Sequence, residues 1–293
     1  MSAKSPLIKL NNGVEMPALG LGVYQSTPEE TVPAVETALN SGYRLIDTAA
    51  AYGNEKEVGE GIRRSGVDCS EVFVTTKLWL TDYGYDSTLR AFDTSLANLG
   101  LDHLDLYLLH WPVPSDLDAT AASYRAAEKL LADGRVRAIG VCNSSPAHLT
   151  GLMERTEIVP AVNQVELHPY FTQQAVRDFD AAQGIVTQTW SPIGGVNRYF
   201  TSAPSAATDP LRDEVVTALA EKYGKTAAQV ILRWHLERGF SPIPKSVKAH
   251  RIAENFDVFD FSLTPDEVAA IDALDTGVRG GPDTEQVGLR SFS

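Results

Sequence analysis

Short apolar runs alternate with longer amphipathic stretches along this 293-residue chain. Eight runs read as strands: LGLGVY (19–24), YRLIDT (43–48), VFVTTKLW (72–79), LDLYLLHW (104–111), VRAIGVCN (136–143), AVNQVEL (161–167), IVTQTW (185–190) and FSPIPKS (240–246). Most are continuously apolar with little alternation, the pattern of parallel strands covered on both faces. The stretches between them carry a helical stripe, as in Val32, Val35 and Leu39. Thr27-Pro28-Glu29-Glu30 and Thr264-Pro265-Asp266-Glu267 have the form of capping boxes with proline at the first helical position. Asn54 with Glu57, and Ser145 with Pro146, mark two further helix starts. Two helices, Pro210 to Tyr223 and Ala227 to Glu237, fall between the last two strands, one more than a plain repeat needs. Ahead of the first strand, PLIKL and VEMPAL flank Asn11-Asn12-Gly13, where Asn-Gly predicts a type I′ hairpin turn.

Eight strand–helix units point to an α/β fold: a single (β/α)8 TIM barrel domain over residues 1–293. It would carry an N-terminal β-hairpin, the extra helix between strands 7 and 8, and a C-terminal tail over the barrel mouth. The rival is a doubly wound Rossmann sheet, which wants G-x-G-x-x-G straight after a strand. GLGVYQ lacks the third glycine and GEGIRR lies inside a helical pattern, so the barrel is favoured. Gly194–Pro210 and Gly277–Ser293 lack periodicity and read as loops over the mouth.

Composition narrows the partners. Hydrophobic residues make up 43% and charged residues 22%, as in an ordinary globular protein. A net charge of −13 disfavours nucleic acid and anionic membranes. No apolar run approaches the roughly 18 residues of a bilayer span. The start, MSAKSPLIKLNNG, lacks the apolar core of a signal peptide. Cys69 and Cys142 lie too far apart in sequence to suggest a disulfide framework. A cytoplasmic protein is expected. The six histidines form no H-E-x-x-H and no cysteine pair has ligand spacing, so no metal is expected either. G-x-S-x-G is absent, which argues against a hydrolase of that type.

The polar residues fall at one place in each unit. Asp47, Lys77, His110, Cys142-Asn143, Gln164 with Glu166, Trp190-Ser191 and Lys245-Ser246 all end strand candidates. In a barrel these ends meet on one face, where active sites form. Any one of them alone reads as a helix cap, a solvated charge or a structural histidine; the whole set in register carries the argument.

RLIDTAAAYGNE, TTKLW, DLYLLHWP, IGVCN, VNQVELHP and PIPKSVKAHRIAEN, in that order, resemble the aldo-keto reductases from about Leu19 to Leu263. Trp190, where many relatives have tyrosine, brings the chain nearest the microbial diketogluconate-reductase-like group. The resemblance implies a catalytic tetrad of Asp47, Tyr52, Lys77 and His110. Carbonyl reduction needs a hydride at carbon and a proton at oxygen. A phenol with a pKa of about 10 is a poor donor, and an ammonium beside it is expected to lower that value. An aspartate would hold the lysine charged, and a histidine could steady the developing oxyanion.

The resemblance further implies NADPH held without a Rossmann domain. Trp190 would stack on the nicotinamide, Asn143 and Gln164 would bond its carboxamide, and Ser191 would serve the pyrophosphate. Lys245, Ser246 and Arg251 would take the 2′-phosphate, and Glu254 and Asn255 the adenine; Gly22 and Val247 are counted with this set. From Ser241 to Ala253 there are Lys245, Lys248 and Arg251 and no acid, which favours NADPH over NADH. Cys142 replaces the usual serine, and a thiol is a weak donor, so one carboxamide contact would weaken. Tyr24, Trp79 and Trp111, with the tail, would line a pocket for a small carbonyl substrate: an aldehyde, ketone, α-dicarbonyl or keto-sugar. The chain would act as a monomer. A regulatory protein that binds NADP but turns over little, and a structural lens-type protein, are the competing readings of the same scaffold; neither needs an intact tetrad.

Overall fold

The computed structural model describes residues 5–195 and 209–291. Strands β1 (Leu7–Lys9) and β2 (Glu15–Pro17) form the antiparallel hairpin, with Ile8 opposite Met16. Its turn differs from the expected type I′. Only Gly13 has a positive φ, 88°, and its N–H donates to the Leu10 carbonyl at 2.9 Å. Asn11 and Asn12 stay out of the left-handed region, so the turn is an ordinary one closed by a glycine bulge. Leu10 and Met16 then pack among Leu45, Phe73, Leu106, Leu108 and Val162. The hairpin thus plugs the bottom of the structure that follows.

That structure is a ring of parallel strands in chain order: β3 (Leu21–Gly22), β4 (Leu45–Asp47), β5 (Phe73–Leu78), β6 (Leu104–Leu109), β7 (Val136–Cys142), β8 (Val162–Glu166), β9 (Val186–Trp190) and β10 (Ser241–Pro242). Each lies inside one of the eight apolar runs. Gly22 bridges Lys245 in the parallel sense, and the N–H groups of Gly20 and Gly22 donate to the carbonyls of Pro242 and Pro244, each at 3.1 Å. These bonds close the sheet into a barrel. The closing strands are the shortest because Pro242 and Pro244 have no N–H to add to the ladder. A Cβ on Gly22 would lie 2.9 Å from the Ile243 carbonyl oxygen, so the seam needs glycine there.

The outer layer comprises α1 (Pro28–Ser41), α2 (Glu55–Ser65), α3 (Tyr85–Leu99), α4 (Leu117–Ala132), α5 (Pro146–Met153), α6 (Gln174–Gln183), α7 (Glu214–Tyr223), α8 (Ala227–Glu237), α9 (Ala249–Phe256) and α10 (Pro265–Asp272). Both α7 and α8 lie between β9 and β10, as the sequence implied. Thr27, Ser145 and Thr264 cap their helices in reciprocal boxes. Thr226 with Gln229 forms one more at α8. Asn54 differs: its side chain makes no cap bond to α2. It accepts from the Thr48 hydroxyl at 2.8 Å and donates to the Val23 carbonyl at 3.0 Å, tying the loop after β4 to the loop after β3. Of the stretch Gly194–Pro210, residues 196–208 lie outside the described residues. The C-terminal tail is described to residue 291 and crosses the barrel mouth: Pro282 lines the cavity there, and Val287 packs on Leu80, Trp111 and Val113.

Candidate active site

Asp47 ends β4 and Lys77 lies next to last in β5, and both side chains are buried. The Lys77 ammonium donates to Asp47 Oδ1 at 2.5 Å and to the Thr48 carbonyl at 2.8 Å. The other carboxylate oxygen of Asp47 accepts from the Gln164 amide at 2.8 Å. Burial pushes the Asp47 carboxyl up, and Lys77 and Gln164 pull it back. Both its oxygens act as acceptors, the arrangement of a carboxylate. Burial works against the Lys77 charge as well, but Asp47 and the other neighbouring acidic groups outweigh it and hold the ammonium above its ordinary pKa.

Tyr52 stands on a single 3-10 turn, Ala50–Tyr52, with Gly53 left-handed behind it at φ 66°. The Lys77 ammonium is 5.1 Å from the centre of its ring. The phenol pKa lies above its ordinary value, because burial outweighs the opposing pull of Lys77. This corrects the expectation of a lowered pKa. The lysine acts in the expected direction, but the desolvation of a phenolate in this pocket is the larger effect.

His110 follows β6. Its ring meets Tyr52 edge-on at 5.6 Å and Trp79 at 5.1 Å, and it lies almost parallel to Trp111 at 6.4 Å. Burial, and then the charge of Lys77, hold its pKa well below that of a free imidazole, so the ring is neutral. The Asn143 amide donates to the His110 carbonyl at 3.0 Å and its Oδ1 accepts from the Trp190 indole at 2.9 Å. Asn143 and Ser191 both sit in the left-handed region, φ 57° and 49°. Backbone held there by a non-glycine residue is a mark of functional sites.

Asp47, Tyr52, His110, Asn143, Gln164, Trp190 and Ser191 face a cavity of about 760 Å³. One end is aromatic, where Tyr24, Tyr52, Trp79 and Trp111 cluster about His110; Gly22, Asn143, Gln164, Trp190 and Ser191 also line it. Lys245, Ser246, Arg251, Glu254 and Asn255 belong to the same lining. Two of the expected residues are not part of the lining: Lys77 is fully buried beside Asp47, and Val247 packs against the core. Cys142 also stays out of the lining. Its thiol is buried in the barrel interior with Leu108 and Ala138, and burial pushes its pKa up. The first turn of α8, Thr226 to Ala228, joins the lining beside Glu254 and was not foreseen. Its signal was the extra helix itself, whose cap Thr226 donates to Glu254 at 2.9 Å.

Residues 17–276 match the family model described as "Aldo/keto reductase family". The chain belongs to that family. It is 58% identical to a morphine 6-dehydrogenase of Pseudomonas putida over 294 residues, covering 100% of this chain and 99% of the relative. It is 48% identical to a glyoxal reductase of Bacillus subtilis over 281 residues, 96% of each chain. Among solved structures, a Bombyx mori aldo-keto reductase in complex with NADP superposes with a TM-score of 0.88 at 37% identity, covering 96% of each chain. The family resemblance and the barrel read from the motifs are therefore borne out. The family acts on small molecules, and among the described residues no helix of this aldo-keto reductase is long and apolar enough to cross a membrane.

Proposed function

We propose that this chain, acting as one domain over residues 1–293, is an NADPH-dependent reductase that converts aldehydes and ketones to alcohols with Tyr52 as proton donor. The observation that carries the reading is the buried Asp47–Lys77 pair set behind Tyr52 and His110 at the aromatic end of the cavity. A raised phenol pKa means that Tyr52 is neutral and carries its proton at neutral pH. Once the proton has left, the Lys77 ammonium stabilises the phenolate, and Asp47 keeps that ammonium charged and aimed. A neutral His110 can donate a hydrogen bond to the carbonyl oxygen and hold it toward Tyr52. NADPH, when bound, supplies the hydride to the carbonyl carbon; the Tyr52 proton goes to the oxygen and an alcohol results.

The cavity suits that cofactor. The Gln164 amide N–H groups are taken by Asp47 and Gln188, the latter at 2.7 Å, which leaves its Oε1 to accept from a carboxamide. Trp190 is held in place by Asn143 and lines the same cavity. Lys245, Ser246 and Arg251 line the same cavity and suit a 2′-phosphate. Relatives named for glyoxal and for morphine at position 6 suggest a substrate range from two-carbon dicarbonyls to ring ketones. With a net charge of −13, the chain suits a monomeric cytoplasmic enzyme with no nucleic-acid partner. The test is the loss of NADPH absorbance with glyoxal, methylglyoxal and a bicyclic ketone. Steady turnover of at least one supports the reading. Tight NADPH binding without turnover on any would favour a regulatory protein instead.

A further inference from the structure

Glu166 ends β8, two residues past Gln164, and is fully buried. A carboxylate in that position must find donors. It finds them in the C-terminal tail. The Gly280 N–H donates to Oε1 at 2.7 Å, and the Gly281 N–H donates to Oε2 at 2.9 Å. His168, equally buried, places Nε2 at 3.1 Å from Oε1. Beside them, the Gln173 amide donates to the Glu166 carbonyl and its oxygen accepts from Arg279 at 3.4 Å. The Arg279 guanidinium lies 4.8 Å over the Phe171 ring. Three successive tail residues are thus held by the end of β8 and the turn after it.

The seat touches the cavity in two ways. Pro282, the next residue, lines it. Gly281 rests directly on Trp190: a Cβ there would lie 2.7 Å from the indole Cη2 and 2.8 Å from Glu166 Oε2. Gly281 is not in the left-handed region, so glycine is required by this contact and not by backbone conformation.

We propose that Glu166 is a positioning residue that seats the C-terminal tail as a wall of the substrate cavity and so sets discrimination by substrate size. Its kinetic part rests on the reductase reading above. Two N–H bonds to one carboxylate fix how far Pro282 stands from the reacting end. A compound long enough to reach from Tyr52 to Pro282 meets the wall, whereas a two-carbon dicarbonyl does not. A purely structural Glu166 would affect both compounds alike.

The experiment uses the full-length protein and two independent lesions, Glu166→Gln and Gly281→Ala. The first replaces one acceptor by an N–H donor; the second leaves the carboxylate intact and lifts the tail by a clash. Amide hydrogen exchange at Gly280 and Gly281 reads the seat without catalysis. It should quicken about tenfold or more in both variants, as loss of a charge-assisted bond implies. In the wild type, a bicyclic ketone should slow this exchange and glyoxal should not. In NADPH-coupled turnover, the ratio of KM for the bicyclic ketone to KM for glyoxal should rise about fivefold in both variants. Unchanged exchange in the variants, no slowing by the ketone, or equal KM shifts for the two compounds would each overturn the proposal. Absence of wild-type turnover would sink the reductase reading alone, and the exchange rates would still decide the seat.

Discussion

Arg251 is exposed on α9, where its charge acts largely through water. Its contribution to a 2′-phosphate site is therefore limited and sensitive to salt. Arg251→Ala should weaken NADPH binding about tenfold and leave NADH binding nearly unchanged, and the difference should shrink as salt rises. Equal losses for both cofactors, measured by fluorescence titration, would remove Arg251 from that role. The residue itself was legible in sequence, because three cations and no acid between Ser241 and Ala253 stand out in an acidic chain. The electrostatics of Tyr52 were not. Sequence shows that a lysine is near the phenol, but the sign of the shift depends on how much water the finished pocket excludes. Val247 packs against the core while Ser246 lines the cavity, because neighbours in sequence turn to different sides where the chain passes from β10 into α9.

At the scale of elements, α2 shows how a helix can need glycine against its own propensity. In an isolated helix, glycine costs about 1 kcal/mol relative to alanine. Yet a Cβ on Gly59 would lie 2.0 Å from the Leu99 carbonyl oxygen at the end of α3, and one on Gly61 would meet Val35 of α1 at 2.7 Å. Backbone cannot yield as a side chain tip can. Gly59→Ala should therefore destabilise the protein by roughly 2–4 kcal/mol despite its better propensity. A raised or unchanged urea midpoint would contradict this. GEGIRR was rightly excluded as a nucleotide loop from its helical context, but the reason for its glycines lies in contacts between helices distant in sequence. The strands were legible because two-sided burial writes itself as continuous apolar runs. The hairpin turn and the role of Asn54 were not, because each depends on partners that local sequence does not contain: the register of β1 with β2, and the Val23 carbonyl.

Over the whole molecule, buried titratable groups away from the cavity shape the response to pH. Asp180 accepts from Asn163 at 3.2 Å and from Thr187 at 2.9 Å, and burial raises its pKa to about 7. His235 Nε2–H donates to the Pro192 carbonyl, 2.9 Å away, and burial lowers its pKa to about 3. The two act with opposite signs. Buried neutral His235 contributes stability that is present above the unfolded histidine pKa and lost as pH falls toward about 3. Asp180 is protonated in the fold while ionised in the unfolded chain between the ordinary aspartate pKa and about 7, so its contribution diminishes as pH rises through that window. Asp180→Asn removes only the second effect. Relative to wild type, the variant should lose about 1.4 kcal/mol for each pH unit of acidification from 7 toward 4. Urea unfolding at pH 7, 6 and 5 measures this, and parallel stability profiles would contradict it. Such couplings are silent in sequence, since Asp180 reads there as one more acid on a helix.

The most direct test of the central claim is Tyr52→Phe, assayed for NADPH oxidation with an α-dicarbonyl substrate and, separately, for NADPH binding. Phenylalanine keeps the ring beside His110 and Lys77 and removes only the donated proton. Turnover should fall about a hundredfold or more, with cofactor affinity within about threefold of wild type. Retention of more than about a tenth of wild-type turnover would contradict Tyr52 as the proton donor.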